Sequence, residues 1–572
     1  MPSDGDDLIA LLGALDHVDS HEVGVGVVVR EMLRRMQFME TLDEALEWDR
    51  EQCRLSPGQR LLALVVAIID NRRALYRLPL FFQTRDVELL LGSAVSAEAL
   101  NDKAMARALD KLAAAKPKQV YASLCLRAIE AYHLVVERLH TDTTSISLYG
   151  VDYTADPEVA IARGFSKDRK PERLQFKIGS AVTQDGVPLF GHVIDGNAND
   201  NEWEHEALHW VKSLVDEKAR GEVLYCADSS LVTKDNLEHM AILGYRFVSR
   251  LPATFGVLGA VKEKALASAG GDWQNVGDVA QVKRKRPRST YRTYETKGEV
   301  EGREYRFLVV HSSWLETQKR KTLERHAEKE REEFSARSRP LRARRFACER
   351  DALEAAEAFV QKEGPRYWEA AVRVGAVEVV DKRPRRGRPA KDDPPPERHT
   401  VYQTAVELGA RRDAVIEAEL AREALFVLIT NDTRRDARAL LEAYRGQQGV
   451  ENEFRWLKSP MHVSPIFLKK SGRVTAFGYV ALIAYLVHAL IQHAVRAAMD
   501  NGERLQVEGR QTDRPTGTAV VDMLRHIRVV HLYLKNGVRR RILQTIKPAE
   551  ARILALLEID ADLFVAVKPL PP

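Results

Sequence analysis

The chain has 572 residues, and its 87 Lys+Arg against 82 Asp+Glu give a formal net charge of +5 at pH 7. With 45% hydrophobic and 30% charged residues it has the composition of an ordinary globular protein, which excludes a disordered, fibrous or uniformly basic chain. At about 150 residues per domain, the length corresponds to roughly four domain-sized units.

The N-terminus and the cysteines indicate a cytoplasmic protein. The chain opens with acidic residues, not with the basic segment of a secretory signal. Its four cysteines are far apart and form no CxxC pair, so neither a disulfide framework nor a zinc site is expected. The apolar run 476–495 is long enough to resemble a membrane span, but His488, Gln492 and His493 interrupt it. We therefore expect a buried core helix there and no membrane partner.

Residues 1–133 are predicted to form an all-α domain. Ser56-Pro57 provides an N-cap and a first-turn proline before an apolar run. A short amphipathic helix over 100–115 carries Lys103, Arg107 and Lys111 four residues apart on one face. This basic stripe either contacts DNA phosphates or is an ordinary solvated helix face.

From about residue 134 the pattern changes to an α/β alternation. Three strands come first, and Gln184-Asp185-Gly186 predicts the hairpin between the second and the third. They are followed by helix, strand, helix and strand, and after a long interruption by a strand over 424–432 and two helices. One of these helices is predicted to run continuously through the segment YRGQQGVENEFRWLK. This order predicts a mixed sheet flanked by helices.

The interruption, residues 255–423, is predicted to be an inserted domain. It contains strand-like segments and a charged helical stretch from 314 to about 363, which we expect to be broken at Pro340. Glu316, Arg320 and Glu324 alternate in sign at a spacing of four, as on a solvated helix. We expect a helical hairpin that projects from a small β unit.

Two dense basic runs lie in this insertion. The first, 283–288, has five basic residues in six positions, and the second, 382–389, contains Arg386-Gly387-Arg388-Pro389. Arg-Gly-Arg-Pro is the core of an AT-hook, whose two arginines enter a narrow A·T minor groove. The alternative is a solvated basic linker. The small net charge therefore conceals local positive patches, which are the feature that matters for binding a polyanion.

Three acids stand at the ends of the predicted core elements. Asp142 lies in the first strand, Asp228 ends the strand EVLYCAD, and Glu451 lies on the helix after the last strand. If the two aspartate strands are neighbours, both carboxylates reach one edge of the sheet, and the helix can add Glu451. Carboxylates without a histidine or cysteine cluster suit Mg²⁺ or Mn²⁺. Two such ions would support phosphoryl transfer, although each acid taken singly is as readily a cap or a surface group.

The same helix adds groups that can bind phosphate. Lys458 lies seven positions after Glu451 and Arg455 four, so both are predicted on its face, and Tyr444, seven positions before, is predicted to face the same way. The competing interpretation is an amphipathic helix with its charges in solvent. Both interpretations can be true, because the polar and the apolar groups occupy different faces of the helix.

The segment YRGQQGVENEFRWLK resembles the Tyr-(2)-Arg-(3)-Glu-(6)-Lys signature of bacterial insertion-sequence transposases of the IS-four type. Tyr444, Glu451 and Lys458 fall at the spacing of that family, whereas Gln447 occupies the signature arginine position and Arg445 is its nearest substitute. HTDTTSISLYG and YCADSSLVTKDNL resemble the two aspartate motifs of the family. Further similarity, in RGFSKDRKPERLQFKIG and GHVIDGNANDN, is to the subgroup with an additional N-terminal domain.

The resemblance implies an RNase H-like core with Asp142, Asp228 and Glu451 as a DDE triad that holds Mg²⁺ or Mn²⁺, two ions in all. It implies a homodimer on paired transposon ends that cleaves and transfers double-stranded DNA, with the terminal inverted repeats and target DNA as partners. Tyr444, Arg445, Gln447, Arg455 and Lys458 are then the DNA-binding residues of the core. Lys103, Arg107, Arg386 and Arg388 are those of the N-terminal domain and the insertion.

The resulting domain prediction has five parts: an N-terminal DNA-binding domain over 1–133, a catalytic core over 134–254 and 424–500, the insertion 255–423 between its halves, and a helical region over 501–572. We expect a cytoplasmic, nucleoid-associated transposase. Two alternatives stay open, a metal-dependent nuclease without strand transfer and a decayed transposase that only binds DNA.

Overall fold

The computed structural model describes residues 13–71, 73–92, 95–150, 152–154, 158–214, 222–268, 270–278, 289–381, 397–459, 463, 466–537 and 539–567. Two compact units result: unit 1 comprises residues 1–249, 430–432 and 439–572, and unit 2 comprises 250–429 and 433–438.

The N-terminal region of unit 1 is helical, as predicted, with one strand that the sequence did not indicate. Its elements are β1 (Leu15–Glu22), α1 (Gly24–Arg35), α2 (Phe38–Ala45), α3 (Pro57–Asn71), α4 (Leu78–Phe82), α5 (Val87–Leu91), α6 (Asp102–Ala114) and α7 (Pro117–Ala131). Ser56 caps α3 as expected, because its Oγ accepts from Gln59 N at 3.0 Å while Gln59 Oε1 accepts from Ser56 N at 2.8 Å.

Five strands of a mixed sheet follow in unit 1. The elements of this part are β2 (Arg138–Ser147), β3 (Gln175–Thr183), β4 (Pro188–Ile194), α8 (Asp200–Leu214), β5 (Leu224–Ala227), α9 (Lys234–Leu243) and β6 (Arg246–Arg250). The strand order is β4-β3-β2-β5-β6, antiparallel from β4 to β2 and parallel from β2 to β6. The predicted turn at Gly186 joins β3 to β4, and its φ of +79° is the conformation that favours glycine.

Unit 2 contains the inserted segment. Its elements are α10 (Val257–Ala267), β7 (Gln274–Asp278), β8 (Thr290–Val300), β9 (Arg303–Ser312), α11 (Ser313–Ala343), α12 (Glu349–Glu363), β10 (Trp368–Val380), β11 (Arg398–Arg411), α13 (Asp413–Glu423) and β12 (Leu425–Thr430). Within it the strands β12, β9, β8 and β7 are neighbours in that order, and β10 pairs with β11 antiparallel.

The helical hairpin of unit 2 is formed by α11 and α12, which pack on the β10–β11 ribbon. Phe334 of α11, Ala356 of α12 and Val406 of β11 form a buried cluster between them. The expected break at Pro340 was wrong, because α11 continues to Ala343. Pro340 lies in the last turn, so the hydrogen bond that its missing N–H removes is followed by only three more helical residues.

The two basic runs cannot be placed. The run 283–288 precedes β8, and the run with Arg386 and Arg388 lies between β10 and β11; both lie outside the described residues.

The remaining elements return to unit 1, apart from the first two residues of the first helix. They are α14 (Ala437–Arg445), α15 (Gln448–Lys458), α16 (Ser471–Ala498), β13 (Leu505–Val507), β14 (Arg510–Thr512), α17 (Gly517–Leu524), β15 (Arg528–Leu534), β16 (Arg539–Leu543) and α18 (Pro548–Leu556). The prediction of a helical region over 501–572 was therefore wrong in part, because this region contains four strands as well as two helices. Short strands separated by turns at positive-φ glycines, Gly509 and Gly537 among them, replace part of it.

Helix α16 is the core helix of unit 1. By length and composition it is apolar enough to cross a membrane, but its most apolar stretch is fully buried inside the protein. It packs against α1, α3, α6, α7 and β4, so the apolar run 476–495 serves the core, as expected.

The two ends of the chain meet in a small sheet. Strand β1 pairs antiparallel with β15, and β15 with β16. Beside it the buried Asp86 accepts from His531 Nε2 at 2.6 Å and from Arg541 Nε at 2.7 Å. Burial alone would raise the pKa of Asp86, but these hydrogen bonds hold it well below its ordinary value.

Candidate active site

Asp142 and Asp228 lie at the same level of two neighbouring parallel strands. In the register of β2 and β5, His140 stands opposite Cys226, and each aspartate comes two residues later along its strand direction. In this register Leu139 lies opposite Tyr225, and both residues are buried. The structure thus brings the two sequence-predicted aspartates to one edge of the sheet.

The two carboxylates influence each other. Burial raises the pKa of Asp142 above its ordinary value, and the charge of Asp228 adds to this rise, while Lys167 opposes it. Asp228 is held by its own turn, because its Oδ1 accepts from Ser230 N at 2.8 Å and its carbonyl accepts from Ser249 Oγ at 2.6 Å. Asp228 therefore has a fixed position at the end of β5.

Lys167 is a functional candidate that the sequence analysis missed. Its Nζ lies 3.0 Å from Asp142 Oδ1 and 3.2 Å from Asp200 Oδ2, and it donates to the Thr143 carbonyl at 2.8 Å. Although burial lowers the pKa of Lys167, the charges of Asp142 and Asp200 raise it overall, so the ammonium group stays charged. The available signal was its place in the segment GFSKDRK, three residues after Gly164.

Glu204 lies behind the aspartates and was also missed. It is buried on α8, where its carboxyl accepts from Thr141 Oγ1 and from Tyr225 OH, each at 2.9 Å. Burial, together with the charges of Asp228 and Asp142, raises its pKa to about 8. The signal was present in the sequence, since Glu204 shares the helix face of Ala207, Leu208 and Val211, which are buried.

Glu451 faces an open cavity that Asp142 also lines. The cavity has a volume of about 620 Å³, and its walls are Asp142, Thr143, Thr144, Lys167, Glu451, Phe454, Arg455, Lys458 and Ser459. Glu451 is exposed and accepts no hydrogen bond from any residue that the structure describes. Helix α15, which carries it, packs against β2 and β3 through Val450, Phe454 and Leu457.

Arg455 and Lys458 share this cavity with Glu451, as their spacing on one helix predicts. Lys458 donates to Asp168 Oδ1 at 2.5 Å, and Arg455 donates to Asn452 Oδ1 at 2.9 Å. Lys458 and Asp168 also line an adjoining cavity of about 260 Å³. Positive groups thus surround the acids on the open side.

Tyr444, Arg445 and Gln447 are not among the residues that line either cavity. The expected continuous helix is two helices, because α14 ends at Arg445 and α15 begins at Gln448. A Cβ at Gly446 would lie 2.8 Å from the His140 ring, so the glycine allows a close approach at which the helix is interrupted. The inference that Tyr444 and Glu451 share a helix face was therefore wrong. Gln447 Nε2 is buried and has no hydrogen-bond partner in the described part of the chain.

Lys103 and Arg107 are exposed on α6, as an amphipathic helix requires, and neither lines these cavities. The third member of the stripe, Lys111, instead donates to the Glu47 carbonyl at 2.5 Å. On the same face of α6, one turn after Arg107, Asp110 accepts two hydrogen bonds of 2.6 Å from Arg473.

The three acids predicted from the sequence have side chains that fit hard divalent cations. Asp142, Asp228 and Glu451 offer carboxylate oxygens and no soft ligand, and a cationic ammonium group already stands against Asp142 Oδ1. The site thus combines carboxylate oxygens with the cationic groups of Lys167, Arg455 and Lys458.

Comparison with known protein families identifies the class of protein. Residues 141–487 match the family described as Transposase DDE domain, and residues 18–126 match a Domain of unknown function (DUF4277). Since the first match covers more than half of the chain, the protein belongs to the DDE transposases. No curated protein matches the chain. The family acts on DNA and generally uses divalent metal ions.

Proposed function

We propose that this transposase binds the terminal inverted repeats of its insertion sequence and catalyses metal-dependent cleavage and strand transfer, by a cut-and-paste route on an RNase H-like core. The observation that carries the proposal is the placement of Asp142 and Asp228 at one level of adjacent strands, with Asp142 and Glu451 in one cavity. A homodimer on paired ends is part of the proposal and comes from the family resemblance.

The three acids would hold two Mg²⁺ or Mn²⁺ ions. The chemistry that such ions supply when bound is activation of a water or a 3′-hydroxyl and stabilisation of the leaving oxygen. The residues of the protein itself have three roles. Ser230 and Ser249 fix the position of Asp228. Glu204 is protonated at neutral pH and so adds no negative charge beneath the aspartates. Helix α15 presents Glu451 to the cavity.

Arg455 and Lys458 are proposed to bind the phosphates of the DNA strand that enters the cavity. Both line it beside Glu451, and an arginine and a lysine offer charged donors to phosphate oxygens. Lys103 and Arg107 on α6 are proposed as a second contact, because both are exposed and lie four residues apart. Arg386, Arg388, Tyr444, Arg445 and Gln447 remain proposals from the sequence alone.

The test uses purified full-length protein, Mg²⁺ and a DNA fragment with the candidate terminal repeats. Wild type should cleave at the repeat boundary and join the end to a target, and Asp228→Ala should do neither while still binding DNA. Asp235→Ala, which removes an exposed acid seven residues further on, is the matched control and should keep both activities.

Two other outcomes decide between the alternatives. Cleavage without joining would replace the proposal by a metal-dependent nuclease. Equal DNA binding by wild type and Asp228→Ala, with no cleavage by either, would replace it by a DNA-binding derivative that has lost catalysis.

A further inference from the structure

Three histidines outside the acidic site converge on one point between two helices. His205 and His209 lie four residues apart on α8 and so share one face, and His239 lies on α9, which packs against α8. One ligand atom of each ring lies within 4.8 Å of the corresponding atoms of the other two. The ring centroids are 4.4 to 5.1 Å apart.

The third histidine has a nitrogen without a partner. His239 Nε2 is buried and makes no hydrogen bond to any residue that the structure describes. An unpaired buried polar atom is costly, and this ring also places one of its nitrogens within 4.8 Å of a nitrogen of each of the other two imidazoles, an arrangement that calls for a ligand.

We propose that His205, His209 and His239 form a binding site for a Zn²⁺-type transition-metal ion, separate from the acidic site. Three imidazole nitrogens with an open fourth position are a common ligand set for Zn²⁺. Tetrahedral Zn–N bonds of about 2.0–2.1 Å place the nitrogens about 3.4 Å apart, which small rotations of the three rings reach from 4.8 Å. His209 is exposed, so the fourth position is open to water.

The site would fasten the two helices that flank the aspartates. Helix α8 carries Asp200, which binds Lys167, and Glu204, which lies next to His205 in sequence. Helix α9 begins six residues after Asp228, and α8 packs against the turn that Asp228 caps. The ion would thus stabilise the packing of α8 against α9 beside the acidic site, whatever reaction that site performs. A cation without preference for nitrogen, such as Mg²⁺, would not occupy it.

The test measures binding of Co²⁺, a spectroscopic substitute for Zn²⁺, to the tag-free full-length protein after chelator treatment. Wild type should take up one equivalent with the strong visible absorption of a four-coordinate site, in a large excess of Mg²⁺, and Zn²⁺ should displace it. Two variants should bind the ion at least about 10–100-fold more weakly: His239→Gln, and the double variant that carries His205→Gln and His209→Gln. Even residues that only hydrogen-bond to metal ligands contribute that much to metal affinity.

Two controls separate this site from other causes. His326→Gln removes an exposed histidine of α11 and should keep full binding, and Asp228→Ala should keep it too, because the acidic site is not involved. Circular dichroism verifies that each variant is folded, and the exposed position of His209 provides the single variant His209→Gln that disturbs packing least. Equal Co²⁺ uptake and equal spectra for wild type and all histidine variants would overturn the proposal.

Discussion

Lys167 binds Asp142 directly, with its Nζ 3.0 Å from the Oδ1 of the aspartate. The ammonium group therefore occupies an oxygen that a divalent ion would use, and it is itself held by Asp200. When no metal ion is bound, the positive charge of Lys167 offsets part of the negative charge of the acidic site. Loading the site with metal must displace or share this contact, which gives Lys167 control over metal affinity.

The first prediction concerns that control. Lys167→Ala should tighten Mn²⁺ binding by at least about tenfold, because two unit charges 3.0 Å apart interact by about 5.5 kcal/mol at an effective dielectric constant of 20, and part of this is screened at the surface. Electron paramagnetic resonance titration of free Mn²⁺ measures the affinity. Lys103→Ala removes the same charge from an exposed helix and should leave it unchanged. Weaker Mn²⁺ binding by Lys167→Ala would contradict this account.

The second prediction concerns Glu451. Glu451→Gln should lower metal-dependent cleavage at least ~100-fold, because it removes a charged ligand while keeping the size of the side chain. DNA binding, measured by fluorescence anisotropy in Ca²⁺, should change little. Glu357→Gln, at an exposed position of α12, serves as the control. Cleavage within threefold of wild type would remove Glu451 from the site.

The third prediction concerns phosphate binding. Lys458→Ala should weaken DNA binding to all sequences alike and reduce the slope of log K against log salt by about 1, as expected for one lost phosphate contact. Asp168→Asn should act in the opposite direction, because it frees Lys458 from its 2.5 Å contact. An unchanged slope in both variants would mean that Lys458 only pairs with Asp168.

The fourth prediction concerns the pH dependence of stability. Glu453 is buried and accepts from Ser180 Oγ at 2.7 Å, and burial raises its pKa from 4.5 to about 8. Between these values the unfolded chain loses this proton while the folded chain keeps it. Stability due to this group therefore falls as pH rises, by up to about 1.4 kcal/mol per pH unit, and levels off above about pH 8.

Glu453→Gln should remove that part of the decline, since glutamine cannot ionise and retains an acceptor for Ser180. Urea unfolding at several pH values between 5 and 9 (about 1 unit apart) measures it. Glu238→Gln, an exposed residue of α9, should show the wild-type slope. Parallel curves for wild type and Glu453→Gln would show that Glu453 is ionised in the folded protein.

The fifth prediction concerns the junction of the chain ends. Asp86→Ala should lower the free energy of unfolding by about 3–5 kcal/mol, because it leaves His531 and Arg541 without their buried partner and removes a cap from α5. Asp235→Ala, at the surface of α9, should cost less than ~0.5 kcal/mol. A loss of similar size in both variants would show that Asp86 is not held as the structure indicates.

The elements that local pattern determines could be predicted. The α/β order, the hairpin at Gly186, the cap at Ser56 and the buried helix α16 all follow from residues near one another in sequence. The same is true of the family, because each of the motifs around Asp142, Asp228 and Glu451 is a short continuous segment of the sequence.

What could not be predicted depends on long-range contacts. Nothing in the polar segment of β1 shows that it pairs with β15, and nothing local places Lys167 against Asp142 or His239 beside His205. The helix break at Gly446 likewise comes from the close approach of His140, some 300 residues away in sequence. Tertiary packing, not propensity, determines these features.

The pairing of β1 with β15 has a consequence for synthesis. The first strand has to wait for its partner until more than 500 further residues have been translated, roughly half a minute or longer at 5–20 residues per second. An unpaired strand edge is an aggregation hazard during such a delay. Strand β1 carries Asp16 and Asp19 and is largely polar, so the nascent chain keeps this edge hydrated until the last part of the protein leaves the ribosome.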